Sequence, residues 1–123
     1  MLSHTISTDA RVAGLGSPLA RLLYTWMIPH CDNLGRMPGE PASVRATVIP
    51  REQDVSDGDV HEWLQDMDRL GLVCWYHYDG MRYVQMLGWE KHQKIVGNMA
   101  RTSHYPAPPK DLHAASIRRS YGV

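Results

Sequence analysis

A mostly helical α+β domain, three helices plus a β-hairpin wing, is the fold this 123-residue sequence predicts. Three observations carry the expectation. Val60, Trp63, Leu64, Met67 and Leu70 fall at i, i+3, i+4, i+7 and i+10, the apolar stripe of a helix packed on a core. Residues 72–78 are dense in β-branched and aromatic side chains, Asp79-Gly80 is a strong two-residue hairpin turn, and residues 81–87 supply the returning strand. Two further helical stretches precede this unit. Helices running straight into a hairpin follow the order of a winged helix-turn-helix.

Residues 1–16 are polar with scattered apolar positions and end in Gly14-Leu15-Gly16. Ile6 and Val12 are expected to add a short strand or lie against the core. The two glycines suggest a phosphate-binding loop, but Leu19 stands where the third glycine is needed, and a flexible lead-in is the better reading. Ser17-Pro18 is a good helix start, an N-cap followed by proline at the first helical position. Leu19, Leu22, Leu23, Trp26 and Met27 repeat at helical spacing and Pro29 ends the run, so this helix is expected to be buried, Trp26 included. Residues 38–50 hold a short helix that starts at Pro41 and has Val44, Val48 and Ile49 as its apolar contacts. Residues 51–55 turn into the central helix. There Ser56 and Asp59 resemble a capping box, with Asp in the place usually taken by Glu or Gln, and Gly71 stops the helix. The domain is expected to span residues 1–105, with 106–123 as a proline-rich linker and C-terminal tail, helical at most near its end.

Composition narrows the class. Two cysteines, Cys31 and Cys74, are too few for a disulfide framework, which points to a reducing cytoplasm. No stretch approaches a membrane span, and the N-terminus lacks a signal-peptide pattern, so no membrane partner is expected. The loop His30-Cys31-Asp32-Asn33 has metal-binding residue types, and Cys74 and His77 are the only plausible second pair. Zinc sites show tighter paired spacing, so both cysteines are expected as free thiols and no metal is assigned. His61-Glu62-Trp63-Leu64-Gln65 begins like a zinc-protease helix, but Gln65 replaces the required second histidine. No base–nucleophile pair, paired acids or cofactor loop stands out, so neither catalytic residues nor cofactors are expected.

The formal net charge is zero, yet it is unevenly spread. Residues 51–80 set eight carboxylates against Arg51 and Arg69, whereas residues 81–123 set seven Lys and Arg against Glu90 and Asp111.

The stretches Ser7-Thr8-Asp9, Ala20-Arg21-Leu22-Leu23, Cys31-Asp32-Asn33-Leu34-Gly35-Arg36 and Val48-Ile49-Pro50 carry a resemblance. So, above all, does Trp89-Glu90-Lys91-His92-Gln93-Lys94-Ile95 with Tyr105-Pro106. Over residues 3–109 the chain resembles the N-terminal winged-helix domain of phage replication proteins, the replisome-organiser or DnaD-like initiators of phages and prophages. The resemblance implies a domain that binds origin DNA or oligomerises, followed in the family by a part that recruits the host helicase or its loader. The chain resembles the N-terminal domain alone or a short stand-alone relative, so helicase loading is not carried over.

A winged helix usually places its third helix in the major groove, but here that helix offers Asp57, Asp59, Glu62, Asp66 and Asp68 against Arg69. Facing a polyanion, these carboxylates oppose insertion. DNA binding is therefore expected through the wing and the segment after it, at Arg82, Lys91, His92, Lys94 and Arg101, with His104 nearby. Tyr76, Tyr78 and Tyr83 either stack on bases or cover the core, and covering is expected for most of them. Self-association or docking on a replication partner protein competes, since an acidic helix and a basic end are mutually complementary. Transcriptional regulation on the same fold is the third reading.

Overall fold

A computed structural model describes residues 14–87 and 105–120 of the chain. The expectations for Ile6 and Val12 and for the basic stretch after Trp89 lie outside the described residues. The described elements are four α-helices and a three-stranded antiparallel sheet. No helix among the described residues is long and apolar enough to cross a membrane.

Helix α1, Pro18–Met27, starts as its sequence predicts, with the Ser17 hydroxyl accepting the Leu19 N–H at 3.2 Å and proline at its first turn. It tightens into a 3-10 turn, Ile28–His30. Helix α2 is Pro41–Val48 and helix α3 is Asp57–Arg69. The capping box of α3 is complete. Asp59 N–H donates to Ser56 Oγ at 3.1 Å, and Ser56 N–H donates to Asp59 Oδ2 at 3.0 Å, so the shorter Asp reaches as Glu would. At the other end Leu72 N–H donates to the Met67 carbonyl and Gly71 N–H to that of Asp68, a Schellman closure with Gly71 at φ 77°.

Strands β2, Val73–Tyr78, and β3, Met81–Met86, are joined by Asp79 and Gly80, both at positive φ (52° and 79°), the geometry of a type I′ hairpin turn. The sequence reading has no counterpart for β1, Arg36–Pro38, which pairs antiparallel with β3 and makes β3 the central strand. The loop before it is built to deliver that strand. Asp32 Oδ1 accepts N–H bonds from Leu34 and Arg36 at 2.9 and 3.0 Å, Gly35 turns at φ 77°, and Met86 N–H donates to the Gly35 carbonyl at 2.8 Å.

Directly opposed residues share a face of a sheet, so the register puts Met37, Val73, Trp75, Val84 and Met86 on one side. That side meets Leu23, Met27, Val44, Val60, Leu64 and Met67 in a single core. The other side carries Arg36, Cys74, Tyr76, Tyr83 and Gln85. Arg36 Nη1 donates to the Tyr105 carbonyl at 3.2 Å, and Tyr76 Oη donates to that of Pro106 at 2.7 Å. The rings of Tyr76, Tyr83 and Tyr105 follow one another at 5.8 Å. Helix α4, Lys110–Ser120, packs against β2 and α3. Residues expected to form a linker and tail thus contribute Pro106 and a helix to the packed structure, next to Tyr105 at the expected end of the domain.

The predicted core needs correction at its rim, where Leu19 is 37% exposed. Trp26 is 42% exposed, and Leu22 and Trp63 are only half-buried. On α1 the inward stripe is Ala20, Leu23, Tyr24 and Met27, so Leu19, Leu22 and Trp26 form the neighbouring stripe, about 100° around the helix, at the rim. Trp63 packs on the edge of the core rather than within it.

Candidate nucleic-acid interface

The solvent face of α3 is anionic. Asp57, Glu62, Gln65 and Arg69 are exposed, with Asp66 half-buried beside them. The arginines beside it are already engaged: Arg45 Nε of α2 meets Asp57 Oδ1 at 2.5 Å, and Arg69 Nη2 of α3 itself meets Asp66 Oδ1 at 3.2 Å. Two arginines elsewhere serve the fold. Arg21 Nη1 donates to the Leu15 carbonyl at 2.9 Å, and Arg36 Nε donates to Gln85 Oε1 at 2.7 Å.

Arg82 stands apart from these. It lies on β3, cross-strand from His77, and makes no ion pair among the described residues. Its guanidinium carbon sits 4.1 Å from the Trp75 ring centroid, a cation–π contact. Its Nε donates to His77 Nε2 at 2.8 Å. His61 of α3 meets the same indole edge-on at 5.2 Å and 77°, and Trp75 Nε1 donates to the Gly39 carbonyl at 2.8 Å. Trp75, His77 and Arg82 are therefore one face of the β2–β3 hairpin, joined to α3 through His61.

Of the five residues expected to touch DNA, the structure describes Arg82; Lys91, His92, Lys94 and Arg101 lie outside the described residues. Arg82 is near the turn, whereas the chain leaves β3 at Leu87, the base of the hairpin, where Leu87 N–H bonds the Leu72 carbonyl. Five residues of strand span roughly 17 Å. Arg82 and the point where the chain leaves the sheet are therefore at opposite ends of the hairpin.

The tyrosines divide. Tyr76 is buried with its hydroxyl on Pro106, and burial raises its pKa above the ordinary phenol value, with smaller contributions from neighbouring charges that include a lowering by Arg36. Tyr83 lies between Tyr76 and Tyr105. Tyr78 alone of the three is open, 54% exposed beside Met81 at 51% across the turn.

The potential metal ligands do not converge. Cys74 and His77 are three apart on one strand and so point to opposite faces. Cys31 and Cys74 are not joined in a disulfide, and Cys31 Sγ donates to the Met27 carbonyl at 3.5 Å. Among the described residues no three His, Cys, Asp or Glu side chains gather at one point.

The sequence reading named Arg82 but not the side chains that contact it. The signal was available: a two-residue turn at Asp79-Gly80 forces His77 opposite Arg82 and places Trp75 on the same face two residues back. The His61 contact had no such signal, because it depends on how α3 packs against the hairpin.

No family model, curated protein or solved structure matches this chain.

Proposed function

We propose that this chain is a phage- or prophage-type DNA replication protein, a cytoplasmic winged-helix domain that binds DNA in replication initiation without itself catalysing a reaction. The helix order α1, α2, α3 followed by the β2–β3 hairpin supports the winged-helix reading. The observation that carries the DNA reading is the contrast between α3 and the wing. The solvent face of α3 is rich in carboxylates, and the arginines beside it, Arg45 of α2 and its own Arg69, are spent on Asp57 and Asp66, while Arg82 on the wing has no carboxylate partner among the described residues. A phosphate backbone is repelled by the first surface and attracted to the second. The wing and the post-wing residues Lys91, His92, Lys94 and Arg101 are the contact set, and α3 stays out of the groove.

The test is fluorescence anisotropy with a labelled DNA duplex across a salt series. Lys91→Glu with Lys94→Glu weakens binding and flattens the salt dependence, each lost phosphate contact lowering the slope by roughly one. Glu62→Gln with Asp66→Asn leaves binding unchanged or tighter. Absence of salt-dependent binding by the wild-type chain overturns the proposal. Collapse of binding on changing Gln65 and Arg69, with Lys91 and Lys94 dispensable, overturns the wing assignment and puts α3 in the groove.

A second reading, a protein-interaction or oligomerisation module, is favoured by the α1 rim, where Leu19 and Trp26 stand 37% and 42% exposed on one stripe. Concentration-dependent sedimentation that Trp26→Glu abolishes would support it.

A further inference from the structure

Arg82 is held on two sides before any ligand arrives. Its guanidinium lies over Trp75, and that indole cannot turn freely, being tied to the Gly39 carbonyl through Nε1 and braced edge-on by His61. Its Nε–H is donated to His77 Nε2 at 2.8 Å, which requires that nitrogen to be the unprotonated one of the ring. A guanidinium has five N–H groups in a fixed fork, and these contacts consume only the Nε edge. The Nη1–Nη2 edge has no hydrogen-bond partner among the described residues. That edge matches the spacing of two phosphate oxygens.

We infer that Trp75 and His77 are positioning residues that hold Arg82 as a two-pronged donor to one phosphodiester, a role lysine cannot fill. The inference rests on the DNA reading above and adds to it the geometry of one contact. A lysine at this position keeps the charge but has no plane to lie on the indole in the same way and no Nε–H to give His77. Its ammonium then has to be ordered by the DNA itself, and ordering a long side chain on binding weakens the complex.

The experiment measures binding of the full chain to a fluorescein-labelled duplex of mixed sequence, for Arg82→Ala, Arg82→Lys, His77→Ala and His77→Gln. Losing one phosphate contact weakens binding about eightfold at about 0.1 M salt. Arg82→Ala is expected to show this loss, and Arg82→Lys to lie within about twofold of it. His77→Ala weakens binding about twofold to tenfold by freeing the side chain, whereas His77→Gln, whose amide oxygen can accept the Nε–H, restores it. Both His77 substitutions are at an exposed strand position, and their thermal midpoints are compared with wild type so that a folding effect is read separately.

Wild-type affinity for Arg82→Lys overturns the inference, because a point charge would then suffice. Equal affinities for His77→Ala and His77→Gln overturn it too. If either occurs while Lys91→Glu with Lys94→Glu still weakens binding, the DNA reading stands and only the positioning role falls. No salt-dependent binding by the wild-type chain removes both.

Discussion

Gly39 joins β1 to α2 at a point where three elements meet, and Gly39→Ala tests how tightly they do. The Gly39 N–H donates to the Arg82 carbonyl at 2.9 Å, and its carbonyl accepts the Trp75 indole N–H at 2.8 Å. A methyl there would come within 2.8 Å of the Tyr83 carbonyl carbon, 3.0 Å of Val84 Cγ2 and 3.1 Å of Trp75 Cδ1. Carbon atoms in good contact sit about 3.5–4.0 Å apart, so the methyl overlaps its neighbours by up to about 1 Å. The closest of them is main chain of the central strand, and Val84 is fully buried, so neither can swing aside. Overpacking of this kind costs about 1–3 kcal/mol, and the backbone contact puts Gly39→Ala at about 2–3 kcal/mol. For a chain of this size that lowers the melting temperature by roughly 6–15 °C. Urea and thermal unfolding followed by tryptophan fluorescence measure it, with Trp75 as a probe at the site. Gly58→Ala is the matched control. Its methyl would meet only Ser56 Oγ at 3.6 Å, on a helix, and should stabilise the fold by about 0.5–1 kcal/mol. A Gly39→Ala chain within about 0.5 kcal/mol of wild type refutes the packing of the β1–α2 junction against β3 described above.

Tyr76→Phe removes the hydroxyl that holds the Pro106 carbonyl and should destabilise by about 0.5–1.5 kcal/mol in urea titration; no loss would mean that residues 105–106 are not secured by this bond. Burial, then the charge of Asp32, pushes the Cys31 thiol from its ordinary 9.0 up to about 12. The folded state therefore favours the protonated thiol. That stability is complete below about pH 9 and is lost as pH rises toward about 12. Tyr76 is shifted in the same direction, so the difference between wild-type and Cys31→Ala unfolding curves across that range isolates the Cys31 share, and parallel curves would contradict it. Labelling of both thiols by a disulfide reagent at about pH 8 should be slow in the folded chain and fast in urea.

What the sequence determined by itself is whatever depends on neighbours a few residues apart. The Ser56–Asp59 capping box, the Gly71 stop, Pro18 and Pro41 at helix starts and the Asp79-Gly80 turn are all interactions that close within one turn of chain, and each stands where the sequence placed it. Periodicity also located Val60, Leu64 and Met67 in the core. What only the tertiary structure decided depends on residues far apart in the chain. Arg36-Met37-Pro38 has no strand pattern of its own and becomes β1 because Asp32 and Gly35 aim it at Gln85, Val84 and Tyr83. Pro106 looks like a linker residue until Tyr76 is found bonded to its carbonyl. Trp26 and Leu23 satisfy the same helical spacing; which of them is buried depends on the angle at which α1 meets α2 and α3. The β2–β3 hairpin follows the same division. The turn sets His77 opposite Arg82 from sequence alone, but His61 reaches Trp75 only because α3 packs against the hairpin, and no local rule encodes that contact.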